Sequence, residues 1–503
     1  MYKLAIDIGT STIKCVLFGE KLRVAAQASR EYPVHYPNQG WVEQSADDWW
    51  RCVAEAVREV IKKSGVDPKE IKAVGASGHT PTFLPLDENG TPLYNAIIWM
   101  DRRGADELSE FLSLIDRDRV RTLTGKNPDV QHMPIKYLWF KKHHPKILEK
   151  TRMLLQANGY INYKLTGEYT MDRANAATSL IYDINTFDYC REVIDAAGIP
   201  YDMLPKLYSG NEVIGTVTEK AAAETGLYVG TPVIAGHVDA GAAGIEVGVI
   251  DDGMAFEATG TASVFMIATK NPVLVPGLST GVGLEVGRGT LFAAMSTSGA
   301  SYKWFRDTFM GGENESGTMY MIMDKIVEEE APNPTRIIFL PYMMGERSPI
   351  WNSDARGVFF GLDMNTKRGQ VMRAILEGTS YGLRDNIEIA KKNGVSIEKV
   401  RMTGGCASSD IWLKIKASVI NLTIEVPEVT VGAPAGLAIM MMPVIGEYPD
   451  IGSAVEECVK IKKTVHPDPD WVKYYDEMFP IFKKIYENTK DELTALAAVK
   501  PVK

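Results

Sequence analysis

Two strand–turn–strand segments, half a chain apart, carry the residue types that bind phosphate. Residues 255–267 contain two β-prone runs joined by the turn Thr-Gly-Thr-Ala-Ser, and the chain opens with the same arrangement over residues 4–18. When the segments are laid over each other, residues 8–12 (Ile-Gly-Thr-Ser-Thr) match residues 259–263. A turn of this kind presents backbone N–H groups and hydroxyls to an anion.

The repetition of this hairpin bears on the architecture of the whole chain. An internal repeat indicates two similar halves, and two halves that each carry such a hairpin favour two lobes holding one polyphosphate between them. Gly-Thr turns are also common in ordinary β-hairpins, and that alternative stays open on these residues alone. The sequence contains no Walker A and no GxGxxG match.

A lone carboxylate lies shortly before the second hairpin. Asp239 follows a short apolar run, residues 233–235, that ends at Gly236. After it comes a run of small residues, 240–244, beside which a backbone or another large group could approach closely. Asp239 is therefore predicted at the end of a strand, where α/β folds place their ligand contacts.

The length and charge of the chain limit the partners it can have. At 503 residues it should contain two or three domains. A net charge of −9 and a pI near 5.5 argue against nucleic acid or an anionic membrane as the main partner. An acidic enzyme can still bind ATP, because a few local donors and Mg²⁺ hold the phosphates.

Neither the apolar runs nor the cysteines indicate an exported protein. No apolar run approaches the roughly 18–20 residues that a membrane span needs, and the chain leads from Met1 straight into a strand, without a signal-peptide pattern. The five cysteines are scattered and lack CxxC spacing. That distribution is typical of a reducing cytoplasm, and of neither a disulfide framework nor a zinc site. We expect a cytoplasmic protein with no nucleic-acid and no membrane partner.

Further predicted strands end in polar residues. Residues 71–77 form a strand that runs into the loop 78–81, and a later strand, residues 95–99, ends before Asp101 and Arg102. An N-cap and a solvated ion pair would also explain those two residues. The glycine pair 404–405 leads from a strand into a helix. It could let an adenine lie against the backbone, although a tight turn alone also explains it.

Two segments of the second half form a signature. Residues 357–362 are Gly-Val-Phe-Phe-Gly-Leu, and residues 370–377 are Gln-Val-Met-Arg-Ala-Ile-Leu-Glu. In these segments, and over nearly its whole length, the chain resembles the FGGY carbohydrate kinases, members of the actin/hexokinase-type ATPase superfamily. Residues 132–139 resemble the other family signature more loosely, because Met133 stands where a small residue or Pro is usual.

The resemblance implies the fold and its division. The fold would be α/β, with two RNase H-like lobes of the actin/hexokinase type and a cleft between them. The N-terminal lobe would cover residues 1–248 and the C-terminal lobe residues 249–445, with a hinge near 249–253. Residues 446–503 would form a helical segment that docks back on the lobes.

The resemblance also implies roles for individual residues. Asp7 would hold the Mg²⁺ of MgATP, and Asp239 would be the catalytic base. The implied substrate-binding residues are His79, Thr80, Asp101 and Asp239. The implied nucleotide-binding residues are Gly9, Thr10, Ser11, Lys14, Gly260, Thr261, Gly299, Lys303, Gly405, Cys406 and Ser409.

The implied reaction is ATP-dependent phosphorylation of a hydroxyl on a small open-chain sugar or polyol. Residues 40–44 and 346–351 look like those of xylulokinases and nearly as much like those of gluconokinases. Within the sugar loop, however, Thr80-Pro81 stands where xylulokinases carry Met-His and glycerol kinases carry Arg-Glu. A D-xylulose-like ketopentose is favoured, and the alternative is a gluconokinase or another polyol or aldonate kinase.

Two hypotheses from another class stay open. Since a fold does not fix a function, the chain could be a non-kinase ATPase switch or a sugar-sensing protein. Retention of Asp7, Asp239 and both hairpins argues against a loss of chemistry. The sequence gives no oligomeric state, and a homodimer stays open.

Overall fold

The computed structural model describes residues 1–311, 318–428 and 430–499. The strands are β1 (Tyr2–Ile8), β2 (Thr12–Phe18), β3 (Val24–Glu31), β4 (Glu43–Gln44), β5 (Ile71–Gly78), β6 (Leu84–Leu86), β7 (Ala96–Ile97), β8 (Met153–Leu155), β9 (Thr170–Asp172), β10 (Tyr182–Asp183), β11 (Asp188–Tyr189), β12 (Lys206–Tyr208), β13 (Val213–Thr216), β14 (Pro232–Val238), β15 (Met254–Thr259), β16 (Ser263–Thr269), β17 (Ser279–Val282), β18 (Gly289–Met295), β19 (Ile338–Leu340), β20 (Val358–Phe360), β21 (Lys399–Gly404), β22 (Thr423–Pro427) and β23 (Ile461–Val465). The helices are α1 (Ala46–Ser64), α2 (Ala105–Leu114), α3 (Arg117–Thr124), α4 (Met133–His143), α5 (Pro145–Lys150), α6 (Ala157–Thr166), α7 (Arg173–Thr178), α8 (Arg191–Ala197), α9 (Glu219–Thr225), α10 (Asp239–Glu246), α11 (Gly299–Phe309), α12 (Thr318–Glu330), α13 (Arg368–Lys392), α14 (Asp410–Ile420), α15 (Ala433–Val444), α16 (Ile451–Cys458) and α17 (Pro469–Ala498). Over the described ranges, none of the helices is long and apolar enough to cross a membrane.

The first sheet is built on the N-terminal hairpin. Its strand order is β13-β14-β5-β1-β2-β3, and β1 is antiparallel to β2 and parallel to β5. Successive side chains of β1 point to opposite faces, so that Leu4 and Ile6 pack with α1 and α6, whereas Ala5 packs with α10 and α15. Helices therefore cover both faces of this sheet, as expected for an α/β lobe.

The second sheet repeats this arrangement. Its strand order is β17-β18-β16-β15-β21-β22-β23, and β15 is antiparallel to β16 and parallel to β21. The hairpin β15–β16 thus occupies the place in this sheet that β1–β2 occupies in the first. The predicted repeat and the predicted pair of α/β lobes are confirmed.

The lobes meet at α10 and α15, where small residues allow close contact. The run of small residues predicted from the sequence forms most of α10. A Cβ atom at Gly436 of α15 would overlap the carbonyl oxygen of Ala242 in α10. A Cβ atom at Gly244 would overlap Met266 of the second sheet and press on Phe256. The close approach predicted for this run is therefore confirmed, and it places α10 against both lobes.

Two elements lie across the domain boundaries expected from the sequence. Helix α15 belongs to the expected range 249–445, yet it packs on the first sheet, beside Ala73 and Ile234. Strand β23 belongs to the expected range 446–503, yet it is the edge strand of the second sheet. The rest of that range includes α17, whose Trp471 and Phe482 join the core of the second lobe. The boundaries themselves stay predictions.

Candidate active site

Three parallel strands of the first sheet end level with one another. Ile8 of β1 is paired with Gly78 of β5, and Gly78 is paired with Val238 of β14. Because the carboxyl ends of parallel strands meet at one edge of a sheet, ligands bind there. This edge carries Asp7, one residue before the end of β1, and Asp239, one residue after the end of β14.

Asp239 is placed at this edge by a glycine that bends its strand. Gly236 has a φ of 82°, and the register of β14 against β5 shifts across it. A side chain at this position would overlap the carbonyl oxygen of Ala76. Asp239 then begins α10 as a half-buried residue, and the N–H of Ala240 donates to its Oδ1 at 2.6 Å. A helix start stabilises a negative charge.

The two carboxylates of this edge have perturbed acidities. Burial raises the pKa of Asp239 to about 6, the charge of Asp7 adds to the rise, and the N–H of Ala240 opposes it. Burial also raises the pKa of Asp7, whereas the Ser77 hydroxyl, 2.8 Å from Oδ1, and the charge of Lys14 lower it. A carboxylate with a pKa near 6 is ionised at pH 7 and is a stronger base than an ordinary Asp.

A cavity of about 1390 Å³ lies between the two lobes. Thr10, His79, Thr80 and Asp239 line it from the first lobe, and strands β16 and β18 line it from the second. Its volume exceeds the roughly 300–1,000 Å³ of ordinary small-molecule sites, so it has room for more than one small ligand. The predicted site residues outside its lining, all within the described chain, are Asp7, Gly9, Ser11, Lys14, Asp101, Gly260, Thr261, Gly299, Lys303, Gly405, Cys406 and Ser409.

The turn of the first hairpin offers backbone and hydroxyl groups beside the cavity. The N–H of Gly9 donates to the carbonyl of Thr12 at 3.1 Å and closes the turn. The hydroxyl of Thr10 accepts a hydrogen bond of 3.1 Å from the indole of Trp99, and Ser11 is exposed. These are the groups that the sequence predicted for phosphate binding.

Lys14 lies next to this turn but is held by another segment. It is paired with Asp7 across β1 and β2, and its Nζ donates to the carbonyl of Val431 at 2.9 Å. Glu246, at the end of α10, accepts hydrogen bonds from the N–H groups of Val431 and Gly432. Lys14 and Glu246 together therefore fix the segment that leads into α15.

The second hairpin is joined to the start of α11. Gly260 and Thr261 are exposed at its turn. The N–H of Gly299 donates to the carbonyl of Gly260 at 3.1 Å, and a Cβ atom at Gly299 would overlap that carbonyl. The N–H groups of Ser298 and Ala300 donate to the carbonyl of Thr261 at 3.0 and 3.1 Å. The structure thus brings three predicted nucleotide-binding residues together.

The segment predicted to contact adenosine lies at the next strand end. Gly404 ends β21 and is paired with Thr259 at the end of β15, and Gly405 is exposed beside it. Cys406 is fully buried, and its Sγ lies 3.7 Å from the carbonyl oxygen of Thr403. Its side chain therefore faces the protein interior, and the backbone is what this residue can offer to a ligand.

Ser409 and Lys303 are engaged with other protein groups. Ser409 is the N-cap of α14, and its hydroxyl accepts a hydrogen bond of 3.2 Å from the N–H of Trp412. Lys303 is exposed on α11, with its Nζ 2.6 Å from Asp307 Oδ2. A phosphate or ribose contact by Lys303 would require the ammonium to leave Asp307.

A buried ion pair below the second hairpin is a feature that sequence reasoning missed. Lys416 of α14 pairs with Glu257 of β15, and both side chains are fully buried. The hydroxyls of Ser263 and Thr259 donate to Glu257 at 2.5 and 3.2 Å. The two residues are far apart in the sequence, so their ion pair could not be predicted without the fold. Their pairing fixes both strands on either side of the turn.

The sugar loop contributes a neutral imidazole and an unsatisfied hydroxyl. His79 is buried, with Nε2 3.1 Å from Gln44 Oε1 and Nδ1 3.3 Å from Thr82 Oγ1. Burial lowers the pKa of His79 to about 4, so the ring is neutral at pH 7. The hydroxyl of Thr80 is buried without a hydrogen-bond partner in the described part of the chain. A substrate hydroxyl could satisfy it.

Asp101 lies in surroundings that differ from the sequence expectation. It is fully buried, and its carboxylate accepts hydrogen bonds from Val42 N–H at 2.7 Å and from Arg103 N–H and Nε at 3.0 and 2.8 Å. The ammonium of Lys136 donates to it at 2.5 Å. With four donors bound and no place in the cavity wall, Asp101 orders Arg103 and Lys136. This placement does not support its predicted contact with the sugar.

Most residues of the cavity wall were not predicted, and three of them have side chains suited to binding a ligand. They are Lys126 after α3, together with Arg347 and Trp351 in the loop after β19. A lysine next to Gly125 at the end of a helix reads in the sequence as an ordinary solvated helix end. Its position in the cleft results from tertiary packing, and no feature of the neighbouring sequence indicates it.

The site as a whole is that of a phosphotransferase. Two Gly-Thr turns, one from each RNase H-like lobe, carry N–H groups and hydroxyls of the kind that bind anions. A carboxylate with a raised pKa lines the cavity between the lobes. This combination defines the class of two-lobed, ATP-dependent kinases of the actin/hexokinase type.

Comparison with known families identifies the particular group within that class. The N-terminal domain model of the FGGY family of carbohydrate kinases matches residues 2–245, and the C-terminal domain model of the same family matches residues 257–442. The chain belongs to the FGGY family of carbohydrate kinases and is an ATP-dependent carbohydrate kinase. The predicted resemblance is confirmed, and the kinase is favoured over the ATPase switch and the sugar sensor.

Individual relatives have names for more than one sugar. The xylulose kinase of Bacillus subtilis (strain 168) is 29% identical, over 98% of this chain and 98% of its own. The gluconokinase of Bacillus licheniformis is 27% identical, over 99% of this chain and 98% of its own. The crystal structure of xylulose kinase from Rhodospirillum rubrum superimposes with a TM-score of 0.91 at 25% identity, covering 98% of this chain and all of that one.

Proposed function

We propose that the chain transfers the γ-phosphoryl group of ATP to a terminal hydroxyl of a small open-chain sugar or polyol, with a D-xylulose-like ketopentose as the first candidate. One observation carries the proposal: the half-buried carboxylate of Asp239, with a pKa of about 6, lines the interlobe cavity together with His79 and Thr80. The relatives named for xylulose support the choice of a ketopentose.

In this mechanism Asp239 acts as the general base. A sugar hydroxyl is a weak nucleophile, so a carboxylate must accept its proton as the oxygen attacks. The oxygen forms a bond to the γ-phosphorus, the bond from that phosphorus to the β,γ-bridging oxygen breaks, and ADP leaves. The proton passes to Asp239. N–H groups of the two hairpin turns would stabilise charge on the phosphates, and closure of the lobes would keep water out.

The surroundings of Asp7 fit a magnesium ion. Mg²⁺ is usually held through one or two carboxylates, waters and substrate phosphates. Ser77 donates to Oδ1 of Asp7, and in the described part of the chain Oδ2 accepts no protein hydrogen bond. When bound, Mg²⁺ would neutralise charge on the phosphates of ATP. Asp101, whose carboxylate accepts four donors, offers no comparable oxygen.

The sugar loop bears on which substrate is accepted. Thr80-Pro81 offers one hydroxyl, and Pro lacks a backbone N–H. The Thr80 hydroxyl has no hydrogen-bond partner in the described part of the chain, and the residue lines the cavity. A site that lacks a polar partner prefers substrates that do not need it, with discrimination of roughly 10–10⁴-fold. We therefore expect D-xylulose to be accepted modestly, or a related pentulose, tetritol or aldonate to be preferred.

The test is a comparison of kcat/KM across open-chain ketoses, polyols and aldonates, with ADP formation as the readout. The double variant Thr80→Met/Pro81→His should gain activity on D-xylulose relative to the wild type, because it restores the polar group of the xylulokinase pattern. The proposal fails if the double variant gains none and the wild type strongly prefers glycerol or a closed-ring hexose. A cytoplasmic location and a homodimer stay predictions.

A sugar acid is the second candidate substrate. The gluconokinase relative supports it. The structural observation in its favour is a cation in the cavity wall, Lys126, that has no carboxylate partner in the described chain.

A further inference from the structure

Lys126 lies in the cavity on a loop that is anchored to both lobes. The loop follows α3, and the N–H of Lys126 donates to the hydroxyl of Thr124 at 3.3 Å. The carbonyl of Gly125 accepts a hydrogen bond of 3.0 Å from the N–H of Thr280 in the second lobe. Gly125 has a φ of 74°, and a side chain there would overlap Thr280. The ammonium of Lys126 is thus carried by a segment with a defined position.

The nearest carboxylate in the sequence is already used by other groups. Arg102 donates to both oxygens of Asp129, at 2.8 Å each, and the N–H of Val130 donates to Asp129 Oδ1 at 2.7 Å. His132 Nδ1 accepts a hydrogen bond of 2.9 Å from the N–H of Asp129, and burial lowers the pKa of His132 to about 4. Asp129 and His132 are therefore hydrogen-bonded to groups other than Lys126.

Lys126 differs in this respect from Arg102 and Arg288 of the cavity wall, and from Arg347, whose guanidinium donates to the carbonyl of Met295 at 3.4 Å and is influenced by the charge of Glu346. Arg102 is neutralised by Asp129, and Arg288 has its Nε 3.6 Å from Glu285. Among the residues that the structure describes, no carboxylate oxygen lies within 4.0 Å of the Lys126 ammonium. Burial alone, without an opposing charge, lowers the pKa of Lys126 to about 8, and the group stays protonated at pH 7. Desolvating a charge without a partner is costly, so a ligand is expected to supply the counter-charge.

We propose that Lys126 binds an oxyanion of the substrate, whose reacting hydroxyl lies at Asp239. An ammonium is a compact charge with three donors and suits a carboxylate or a phosphate. The substrate would then be an open-chain polyhydroxy compound with an anionic group, either a sugar acid or a sugar phosphate. This inference rests on the proposed function: it keeps the phosphoryl transfer at Asp239 and takes an anionic substrate in place of the uncharged ketopentose. It requires that the substrate occupy the cavity shared by Lys126 and Asp239.

Matched substrates that differ in one group test the role of Lys126. The six-carbon set is D-glucitol, D-gluconate and D-glucitol 6-phosphate, and the five-carbon set is xylitol, D-xylonate and xylitol 5-phosphate. In the wild type, kcat/KM for at least one acid or phosphate should exceed that of its polyol by at least about tenfold. Lys126→Met should lower this ratio by roughly 10- to 100-fold, the range of a hydrogen bond to a charged group. The acid and phosphate arms distinguish the two sources of the oxyanion.

Three controls separate recognition of charge from damage to the fold. Lys126→Arg keeps the charge and should retain a preference for the anionic substrate. Lys146→Met removes an exposed lysine outside the cavity lining, and it should leave the ratio unchanged. Calorimetry without nucleotide should show the anionic ligand binding to the wild type and Lys126→Arg, and much more weakly to Lys126→Met.

The outcomes also distinguish this inference from the proposed function. If D-xylulose or the polyols support Asp239-dependent ADP formation and no anionic substrate is preferred, the inference about Lys126 is overturned and the proposed function stands. An anionic preference that Lys126→Met leaves unchanged likewise overturns it. If no compound of the panel, D-xylulose included, supports ADP formation, both fail.

Discussion

Three aspartates near the cleft have different surroundings, and these decide what each can do. Asp101 is fully buried, and its carboxylate accepts four hydrogen bonds from protein groups, so its charge is balanced within the protein. Asp7 accepts one hydroxyl, from Ser77, and keeps an oxygen for a ligand. Asp239 accepts one N–H, from Ala240, and lines the cavity. The same side chain thus serves as a structural group, a metal-ligand candidate and a base candidate.

The acidity of Asp239 predicts a pH dependence. Burial and the charge of Asp7 raise its pKa to about 6, so its basic form predominates above that pH and is lost as the pH falls through it. We expect kcat/KM to be flat above pH 6 and to fall about tenfold per pH unit below it. The measurement is kcat/KM against pH with saturating MgATP. An acidic limb near pH 4, the range of an ordinary Asp, would show that the base is not in this environment.

Replacement of Asp7 tests whether its carboxylate acts on the nucleotide side. Asp7→Ala should abolish phosphoryl transfer, because the free Oδ2 is the oxygen available to Mg²⁺. The affinity for sugar, measured by calorimetry without nucleotide, should change little. Ser77→Ala is a useful companion, since it removes the hydrogen bond to Oδ1 and keeps the carboxylate. A large loss of sugar affinity in Asp7→Ala would show that Asp7 acts on the sugar and not on the nucleotide.

Residue types predicted part of the site and could not predict the rest. Asp239 and the two turns could be predicted, because Asp239 lies at a strand end and each turn contains a Gly-Thr pair. At such positions the local sequence determines the geometry. Asp101 follows a strand in the same way, but Arg103 and Lys136 bury it. Whether a strand-end carboxylate faces a ligand or an internal cation depends on groups from other elements. For the same reason, Lys126 could not be predicted as a cavity residue from its local sequence.

At the scale of elements, the crossing of α10 and α15 controls the position of the base. Gly436→Ala would force a methyl group against the carbonyl of Ala242 and push α15 from the helix that Asp239 begins. We expect a loss of about 1–3 kcal/mol in the free energy of unfolding, the usual cost of overpacking, together with a lower kcat. Chemical denaturation and steady-state kinetics measure the two effects.

Gly452→Ala is the matched control for that variant. Gly452 is an exposed glycine in helix α16, and an added Cβ would meet the Asp450 side-chain oxygen at 3.4 Å. Alanine in a helix is favoured over glycine by roughly 0.5–1 kcal/mol, so this variant should be as stable as the wild type or slightly more so. If Gly436→Ala is equally harmless, the contact between α10 and α15 does not hold the base in place.

The strands of the fold were more predictable than the partners of its helices. Both hairpins could be read from short β-prone runs around Gly-Thr turns, and their repetition predicted two lobes. Helix α15 is apolar on every side, with Leu437 and Met441 fully buried, so its sequence pattern selects no face and no partner. Its packing on the first sheet is set by Gly436 and by the segment that Lys14 and Glu246 hold.

For the whole molecule, the wide cavity between the lobes predicts closure when both substrates bind. The cavity of about 1390 Å³ is larger than a small sugar needs, and the two predicted phosphate turns belong to different lobes. The radius of gyration from small-angle scattering should therefore be smaller with sugar and a non-hydrolysable ATP analogue than in the free protein. Sugar alone and nucleotide alone are the controls. Superimposable profiles at saturating ligands would remove the support for a two-lobe clamp.

The most direct test of the account is the replacement of its base. Asp239→Asn keeps the shape of the side chain and removes its ability to accept a proton. With the best substrate of the panel, we predict that kcat falls about 10²–10⁴-fold while calorimetry shows MgATP binding nearly intact. Asp202→Asn, an exposed aspartate outside the cavity lining, should behave as the wild type. Near-normal turnover by Asp239→Asn would contradict the account.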